Sequence, residues 1–275
     1  MRLDCRVRHA VAVVCLSSAV TAVHGQILAA SARQASSGSL KLMVYYQGVS
    51  DQSVNFAVVG AGTCGTGVAG VTFACGQAGD IEGKGFGQAA VLKVAGQIGD
   101  YVQPYVVFGS GSYELSVPST TITNKFTGTK EGLIYGGGVK FSVVPDTLYD
   151  TAVALDLGAV RSVYDFDHIA PGGAPGSGPI DQRLTLMTYQ LAVEASHLFT
   201  LGKGYKLEPY GGIKWLRVVA DLKDLPSGGH AGGRQETASP FVGLRWPVGD
   251  SVASFVEAAF VDGYHYGTGF EMRFN

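Results

Sequence analysis

Acidic and histidine side chains that could act together stand in two short stretches of the chain. Asp165, Asp167 and His168 form the first group, and Asp262 and His265 form the second. A histidine held beside a carboxylate can act as a general base that takes a proton from water. The pattern therefore permits a hydrolytic site, although solvated loops often carry the same residue types.

Two other short patterns fail on geometry or spacing. Ser196 and His197 are adjacent, and neighbouring side chains of a strand point to opposite faces, so they cannot form a catalytic dyad. Gly83 and Lys84 resemble the end of a phosphate-binding loop, but Ala78 stands where that loop requires glycine. Neither pattern predicts a site.

Two cysteines, Cys64 and Cys75, share a glycine-rich stretch. In an exported protein, this spacing favours one disulfide within a loop, and two free thiols are the alternative. A metal site is disfavoured because no histidine stands between or beside them. We therefore predict neither a metal nor a cofactor.

The elements that position these residues repeat along the chain. Residues 132–144 and 147–160 flank a turn at Pro145 and Asp146, and in both segments the side chains alternate in polarity. A period of two indicates β-strands, because successive side chains point to opposite faces. One face of this hairpin is mostly apolar, and the other mixes charges with glycine and alanine.

The same alternation predicts ten strands in all. They cover residues 40–48, 85–97, 101–117, 132–144, 147–160, 183–199, 205–220, 237–246, 251–261 and 264–274. Several reach about 11–15 residues, where about 5–6 is usual in soluble sheets. A tilted strand needs about 9–11 residues to cross a membrane.

The connections between these strands alternate in length. Short turns are predicted at 98–100, 145–147, 200–204 and 247–250, and long loops at 49–83, 118–130, 165–181 and 222–235. Short turns at one rim and long loops at the other are typical of an outer-membrane barrel. We predict an all-β, closed, antiparallel, up-and-down transmembrane β-barrel of ten strands. Eight or twelve strands are the alternatives, because residues 49–83 could hide a hairpin.

The N-terminus predicts export. Arg2, Arg6 and Arg8 precede an apolar stretch with small residues before Gln26, which is the pattern of a cleaved signal peptide. We assign 1–25 to the signal peptide, 26–38 to a flexible lead-in and 39–275 to the barrel. Losing residues 1–25 removes three arginines and one aspartate, which changes the formal net charge from −2 to −4. No excess of basic residues then remains to attract nucleic acid.

Charged residues on the mixed face are predicted to fill the lumen. The positive members are Lys41, Lys93, Lys140, Lys206, Lys214, Arg245 and Arg273. The negative members are Glu114, Asp150, Asp156, Glu194, Glu208, Glu257 and Glu271. Equal numbers indicate ion pairs across a narrow bore, because unpaired buried charge is costly. A filled lumen is the first interpretation, and a narrow pore is the second.

Aromatic residues on the other face are predicted to form two girdles at the membrane surfaces. Those near the short turns are Tyr149, Phe199, Tyr205 and Trp246, and those near the long loops are Tyr113, Tyr164, Tyr264 and Tyr266. In the strand 147–160, Leu155 is assigned to the lipid face, whereas Ala154 and Asp156 are assigned to the lumen.

The export signal, the alternating strands and the aromatic last strand together resemble bacterial outer-membrane β-barrel proteins of the small OmpA-like type. That strand carries Tyr264, Tyr266, Phe270, Met272 and Phe274, and the resemblance covers about residues 38–275. It implies an outer-membrane location, contact with outer-membrane lipid, and delivery by the barrel-assembly machinery. The machinery would read Phe270 and Phe274.

Function is predicted from the same set of observations. The first hypothesis is a structural or narrow-pore barrel without catalysis. The alternative is a surface adhesin or receptor that binds an extracellular ligand through the loops at 49–83 and 165–181. A second alternative is a hydrolase at the outer rim, resembling the omptin proteases or lipid-modifying barrels and using the Asp/His groups.

Overall fold

Every regular element that the structure describes is a β-strand. The computed structural model describes residues 28, 32–33, 37–57, 68, 71, 80–118, 122–144, 150–172, 178–202, 205–249, 251–260 and 262–274. The strands are β1 Leu40–Ala57, β2 Asp80–Gly96, β3 Val102–Pro118, β4 Thr123–Thr127, β5 Gly132–Val144, β6 Thr151–Pro171, β7 Gly178–His197, β8 Phe199–Thr200, β9 Lys206–Asp224, β10 His230–Pro247, β11 Val252–Ala259 and β12 Tyr264–Phe274. A search of these same residues for a helix long and apolar enough to cross a membrane finds none.

Ten of these strands form a closed antiparallel ring. The order is β1–β2–β3–β5–β6–β7–β9–β10–β11–β12. The ring closes where β12 pairs with β1, from Leu40 opposite Phe274 to Ser50 opposite Tyr264. Closure leaves no unpaired sheet edge, which a strand-built wall needs within a bilayer. The predicted fold class and the strand number of ten are confirmed.

The two rims of the barrel differ in their connections. The turn rim carries both ends of the ring and the short connections near residues 97–101, 198–205 and 248–251. β5 ends and β6 begins at the turn rim as well. The loop rim carries the connections from β1 to β2, from β3 to β4, from β6 to β7 and from β9 to β10, and there the strands run further than the sequence predicted. β1 continues to Ala57, and β6 continues to Pro171. Much of the expected loops 49–83, 118–130, 165–181 and 222–235 is therefore paired strand.

Near the loop rim, the barrel changes from ten strands to eight. The hairpin of β11 and β12 is short, and beyond it β1 pairs directly with β10 at Phe56 and Gly233. The short β4 takes the place of β5 between β3 and β6. A Cβ atom at Gly233 would lie 1.8 Å from the carbonyl oxygen of Asn55, so this close approach requires glycine. We call the ten-stranded part the lower barrel and the eight-stranded part the upper barrel.

The wall of the lower barrel is apolar outside. Its exposed outward side chains include Val44, Leu92, Val106, Phe108, Phe141, Leu157, Leu191, Ile213, Val242 and Phe270. On β6, Leu155 points outward, whereas Ala154 and Asp156 are fully buried inside, which is the arrangement predicted from alternation. The first outward charges along the strands β6, β9 and β10 are Arg161, Arg217 and Glu236.

The upper barrel has the opposite polarity. Its interior is one apolar cluster formed by Val54, Phe56, Val68, Val71, Tyr113, Leu115, Val117, Phe126, Tyr164, Phe166, Leu184, Leu186, Val218, Ala220, Leu222 and Ala231. Its outer wall carries charged pairs such as Lys84 with Glu82 and Arg183 with Asp165. The upper barrel is thus built like the core of a water-soluble protein.

Candidate functional site

The interior of the lower barrel holds most of the predicted lumen charges. Those inside are Lys41, Lys93, Lys140, Asp156, Glu194, Glu208, Lys214, Arg245, Glu257, Glu271 and Arg273. Each stands at an inward position of its strand, because alternation sends every second side chain into the bore. All except Arg273 are buried, and Arg273 is partly exposed near the turn rim.

Glu271 is the centre of one group of charges. Its Oε1 accepts hydrogen bonds from Arg245 Nη2 at 2.9 Å and from Arg273 Nε at 2.8 Å. Lys41 Nζ lies 3.3 Å from the other oxygen, Oε2. Arg245 also donates through Nη1 to Glu208 Oε2 at 2.7 Å. Four strands, β1, β9, β10 and β12, are thus joined inside the bore by charge-assisted contacts.

A second group surrounds Asp156. Tyr105 donates its hydroxyl hydrogen to Asp156 Oδ1 at 2.6 Å, and Lys93 Nζ lies 3.8 Å from Oδ2. The Lys93 ammonium also lies 4.0 Å from the centre of the Tyr105 ring, within range of a cation–π interaction. A Cβ atom at Gly138 would come within 2.4 Å of the Tyr105 hydroxyl oxygen, so glycine makes room for this tyrosine.

Two further lysines pair with acids on neighbouring parts of the wall. Lys140 contacts Glu194, and Lys214 contacts Glu257. Glu257 Oε2 also accepts a hydrogen bond from the Tyr210 hydroxyl at 3.2 Å. Burying a single charge without a partner costs several kcal/mol, roughly, and these pairings offset that cost. The arrangement fills the bore with paired side chains, as in other narrow barrels.

Residues from the expected lead-in, 26–38, also lie inside the lower barrel. Leu28 and Ala32 are buried, and the Leu28 carbonyl accepts a hydrogen bond from Lys93 Nζ at 3.2 Å. Arg33 Nε lies 3.6 Å from Glu208 Oε1. A Cβ atom at Gly267 would lie 2.2 Å from Leu28 Cδ1, so glycine accommodates the leucine. This N-terminal segment, which is not part of the strand wall, therefore helps to fill the bore.

Three of the predicted lumen charges do not lie in the lumen. Glu114 points outward and forms an exposed ion pair with Lys125, with Glu114 Oε2 2.6 Å from Lys125 Nζ. It belongs to the wall of the upper barrel, where charged side chains face water. Asp150 and Lys206 are exposed at the turn rim, where β6 and β9 begin.

The girdle prediction is wrong for two residues, because both belong to the upper barrel. Tyr113 and Tyr164 are buried in the upper barrel, where their rings stack with centroids 5.0 Å apart. Phe199, Tyr205 and Tyr264 are exposed on the outside, and Trp246 and Tyr266 are partly exposed there. Tyr149 lies outside the described residues.

Several outward aromatic residues of the lower barrel were not predicted as girdle members. They are Phe108, Tyr135, Tyr189 and Trp215 near the first outward charges, and Tyr101 and Phe141 near the turn rim. The signal that could have found Trp215 is its place one outward position below Arg217, the first outward charge of β9. Phe270 and Phe274 are exposed on the outside of β12.

The Asp/His group on β6 faces solvent outside the upper barrel. His168 Nδ1 lies 2.6 Å from Asp167 Oδ1, and Asp167 also accepts a hydrogen bond from the Thr129 amide at 3.2 Å. Hydrogen bonds from the Thr129 hydroxyl and from His168 lower the pKa of the Asp167 carboxyl to about 2. Asp165 is paired with Arg183, at 2.7 Å from Nε.

The second Asp/His group does not meet the first. Asp262 accepts a hydrogen bond from the Ser53 amide at 3.0 Å, and His265 is buried on the inward face of β12. β6 and β12 stand on opposite sides of the ten-stranded ring. Within the described part of the chain, no group of three His, Cys, Asp or Glu residues could hold a metal ion.

Of the remaining predicted residues, the structure describes Ser196 and His197. Ser196 is buried inside, whereas the ring of His197 points outward and contacts the Thr151 hydroxyl at 2.7 Å from Nδ1. This geometry agrees with the exclusion of a dyad. Cys64, Cys75 and the signal peptide 1–25 lie outside the described residues.

The chain is similar in structure to solved outer-membrane barrels. The outer-membrane protease OmpT of Escherichia coli matches with a TM-score of 0.51 and 9% identity, over 89% of this chain and 100% of that one. The translocator domain of the autotransporter NalP from Neisseria meningitidis matches with a TM-score of 0.46 and 10% identity, over 88% and 90%. The outer-membrane protein OprG from Pseudomonas aeruginosa matches with a TM-score of 0.42 and 14% identity, over 89% and 99%.

The sequence comparisons add no family. No family model matches the chain, and no curated protein matches it in sequence. At 9% identity, the likeness to OmpT shows the fold alone, which is that of a bacterial outer-membrane β-barrel.

Proposed function

We propose that the protein is an integral outer-membrane barrel with a structural role, a closed lumen and no catalysis. Its partners in this role are outer-membrane lipid around the wall and, during biogenesis, the barrel-assembly machinery that would read Phe270 and Phe274. The observation that carries the proposal is the apolar core of the upper barrel.

This core lies across the path that an ion would have to take. Phe56, Leu115, Phe126 and Phe166 are fully buried within it. Val68 and Val71, from the connection between β1 and β2, pack into the same cluster. An ion crossing such a core would lose its hydration without gaining polar partners, which is strongly unfavourable.

The lower barrel supports the same conclusion. Its bore is occupied by paired charges and by Leu28 and Ala32 of the N-terminal segment. Passage would require these ion pairs to separate while buried away from water, at a cost of several kcal/mol for each stranded charge, roughly. The narrow-pore alternative would need both barrels to open.

Single-channel recording in planar bilayers tests this proposal. Purified folded protein should insert without giving a steady conductance at moderate voltages. Insertion is verified independently by the heat-dependent shift in gel mobility that folded barrels show. Steady single-channel steps from inserted protein would overturn the closed-lumen proposal in favour of a narrow pore.

A second candidate role is surface binding, which the upper barrel favours. This part of the molecule extends past the apolar outer band and presents charged pairs such as Arg183 with Asp165 to water. Residues 173–177 and 119–121 connect its strands at the loop rim. Removing both segments should leave folding intact and abolish binding to host cells or glycans; unchanged binding would refute this role.

A hydrolase at the outer rim is less well supported. The Asp167–His168 pair lies on the outside of the wall, and the buried His265 is on the far side of the ring. A substrate therefore could not contact both groups in one cleft. Incubation with peptides and lipid A should give no hydrolysis, and activity lost in Asp167→Ala would restore the hydrolase hypothesis.

A further inference from the structure

A groove of about 460 Å³ lies on the outer wall where β7, β9 and β10 run side by side. Its outward lining side chains are Tyr189, Leu191, Trp215, Arg217, Glu236 and Ala238. Its volume falls within the range of about 300–1,000 Å³ that is usual for small-molecule sites. None of these residues contributes to the closed lumen.

Two rows of side chains across the strands form the groove. In the row nearer the turn rim, Leu191 stands opposite Trp215, and Trp215 stands opposite Ala238. The small Ala238 beside the large Trp215 leaves a hollow in the wall. In the next row, Tyr189 stands opposite Arg217, which stands opposite Glu236.

The groove lies where the outer wall changes from apolar to charged. Tyr189 and Trp215 are 46% and 45% exposed, as expected for aromatic residues at a membrane surface. Towards the turn rim the wall continues with exposed Ile213 and Val193. A molecule in the groove would therefore have an apolar part in the band and a polar part above it.

The polar end of the groove has an excess of positive charge. Arg217 Nε lies 3.7 Å from Glu236 Oε1, and Arg234 contacts the same carboxylate oxygen. Two guanidinium groups, those of Arg217 and Arg234, thus contact one carboxylate.

We propose that this groove binds a phosphorylated, acylated lipid of the surrounding membrane. Arg217 and Arg234 would hold the phosphate, since guanidinium groups bind phosphate oxygens through two parallel hydrogen bonds. One acyl chain would lie in the hollow beside Trp215 and continue along Ile213. The inference rests on the proposed placement in the membrane, because a soluble phosphate would have no use for the apolar row.

A fluorescence titration tests the site with its own tryptophan. The chain has two tryptophans, so Trp246→Phe leaves Trp215 as the only reporter. Folded protein in neutral detergent micelles is titrated with dioleoyl phosphatidic acid, with dioleoylglycerol or with inorganic phosphate. Only phosphatidic acid should give a saturable change; an equal response to dioleoylglycerol, or saturation by inorganic phosphate, would overturn the lipid-phosphate site.

Variants separate the charge of the site from its shape. Arg217→Gln with Arg234→Gln should weaken phosphatidic acid binding about ten-fold or more, because charge-assisted hydrogen bonds are lost. Ala238→Leu fills the hollow and should weaken binding although every charge remains. Arg183→Gln is the matched control, because Arg183 is an outward arginine paired with Asp165 outside the groove.

The outcomes distinguish this inference from the proposed function. Wild-type affinity in the double variant, or an equal loss in Arg183→Gln, would overturn the groove as the binding site. Heat-dependent gel mobility confirms that each variant is folded before it is titrated. A wild-type protein that folds and inserts into phosphatidylcholine vesicles, but does not bind phosphatidic acid, contradicts only the groove. Failure to insert contradicts the membrane placement itself.

Discussion

The lower and upper barrels share most of their strands but place apolar side chains on opposite faces. On β9, Glu208 and Lys214 point into the lower bore, and on the same face Val218 and Leu222 enter the core of the upper barrel. The outward face changes from Ile213 and Trp215 to charged residues. β9 continues without a break from one part to the other. What differs between the two parts is the environment on each side of the wall.

This difference shows that the two barrels are stabilised in different ways. The upper barrel gains stability from burying apolar surface away from water, as soluble proteins do. The lower barrel has an apolar environment outside and must satisfy its charges inside through ion pairs and hydrogen bonds. Substitutions of the same kind should therefore change the free energy of unfolding by different amounts in the two parts.

The largest effect is expected in the core of the upper barrel. Phe166 is fully buried there and packs against Phe126, with ring centroids 6.0 Å apart. Phe166→Ala should lower the free energy of unfolding by about 3–5 kcal/mol, because it removes buried apolar area and leaves a cavity. Guanidinium unfolding of the protein in lipid vesicles measures this change. A cost below about 1 kcal/mol would mean that the upper barrel has no packed core.

A charge on the outer wall should distinguish the two parts on one strand. Leu155 and Val163 both point outward on β6, Leu155 within the apolar band and Val163 beyond Arg161, the first outward charge of the strand. Leu155→Arg should cost about 2–4 kcal/mol, because it places a charge in the lipid layer, whereas Val163→Arg should cost about 0–1 kcal/mol.

Folding yield into vesicles and guanidinium unfolding measure this pair of variants. Ala154→Arg, on the lumen face beside Leu155, is an additional control. Equal costs at positions 155 and 163 would show that the outer wall does not change its environment along β6. Normal folding of Leu155→Arg with failure of Ala154→Arg would invert the assigned faces.

An acid inside the lower barrel should matter more than one outside the upper barrel. Asp156→Asn removes the charge that faces Lys93 at 3.8 Å and should cost about 1–3 kcal/mol, because a buried cation loses its partner. Glu114→Gln breaks an exposed pair with Lys125 and should cost at most about 1 kcal/mol. Chemical unfolding of the two variants side by side measures the contrast, and a larger cost at Glu114 would contradict it.

The smallest effect concerns the acid–histidine pair on the outside. The pKa of Asp167 is held at about 2 by Thr129 and His168, below its ordinary value of about 3.9. Because the folded-state pKa is the lower one, the stabilisation is present above pH 4, roughly, and is lost as pH falls towards 2. The carboxyl is exposed, so Asp167→Asn should cost less than about 1 kcal/mol at pH 7. Unfolding curves of both proteins at pH 7 and pH 2.5, roughly, should lie closer together at the lower pH; a constant difference would exclude this linkage.

The sequence predicted the ring of ten strands and the faces of the lower barrel well. Both follow from strict alternation, with charges such as Asp156 and Glu194 on one face and Leu155 and Val193 on the other. Local pattern decides these features, because a shift of one residue would exchange the two faces completely.

The reversal of polarity was not predicted, because alternation continues across it. Alternation alone puts Tyr113 outside and Glu114 inside, but at that level the apolar core lies inside and the outward face carries charged pairs such as Glu114 with Lys125. A signal was present on β7, where Leu184 and Leu186 share the inward face of Glu194 and Gln190. The contacts of Leu28 and Arg33 with distant strands depend on tertiary structure, and alternation does not encode them.

The most direct test of the reversal is a spin-label scan along the outer face of β6. Single cysteines are introduced at positions 153, 155, 157 and 159 and at 161, 163, 165 and 167, in a background without Cys64 and Cys75. Labels at 153–159 should collide with oxygen dissolved in lipid, and labels at 161–167 should collide with a water-soluble nickel complex. A change from lipid to water between 159 and 161 is the predicted result. Contact with lipid along the whole strand, or with water along the whole strand, would contradict the account.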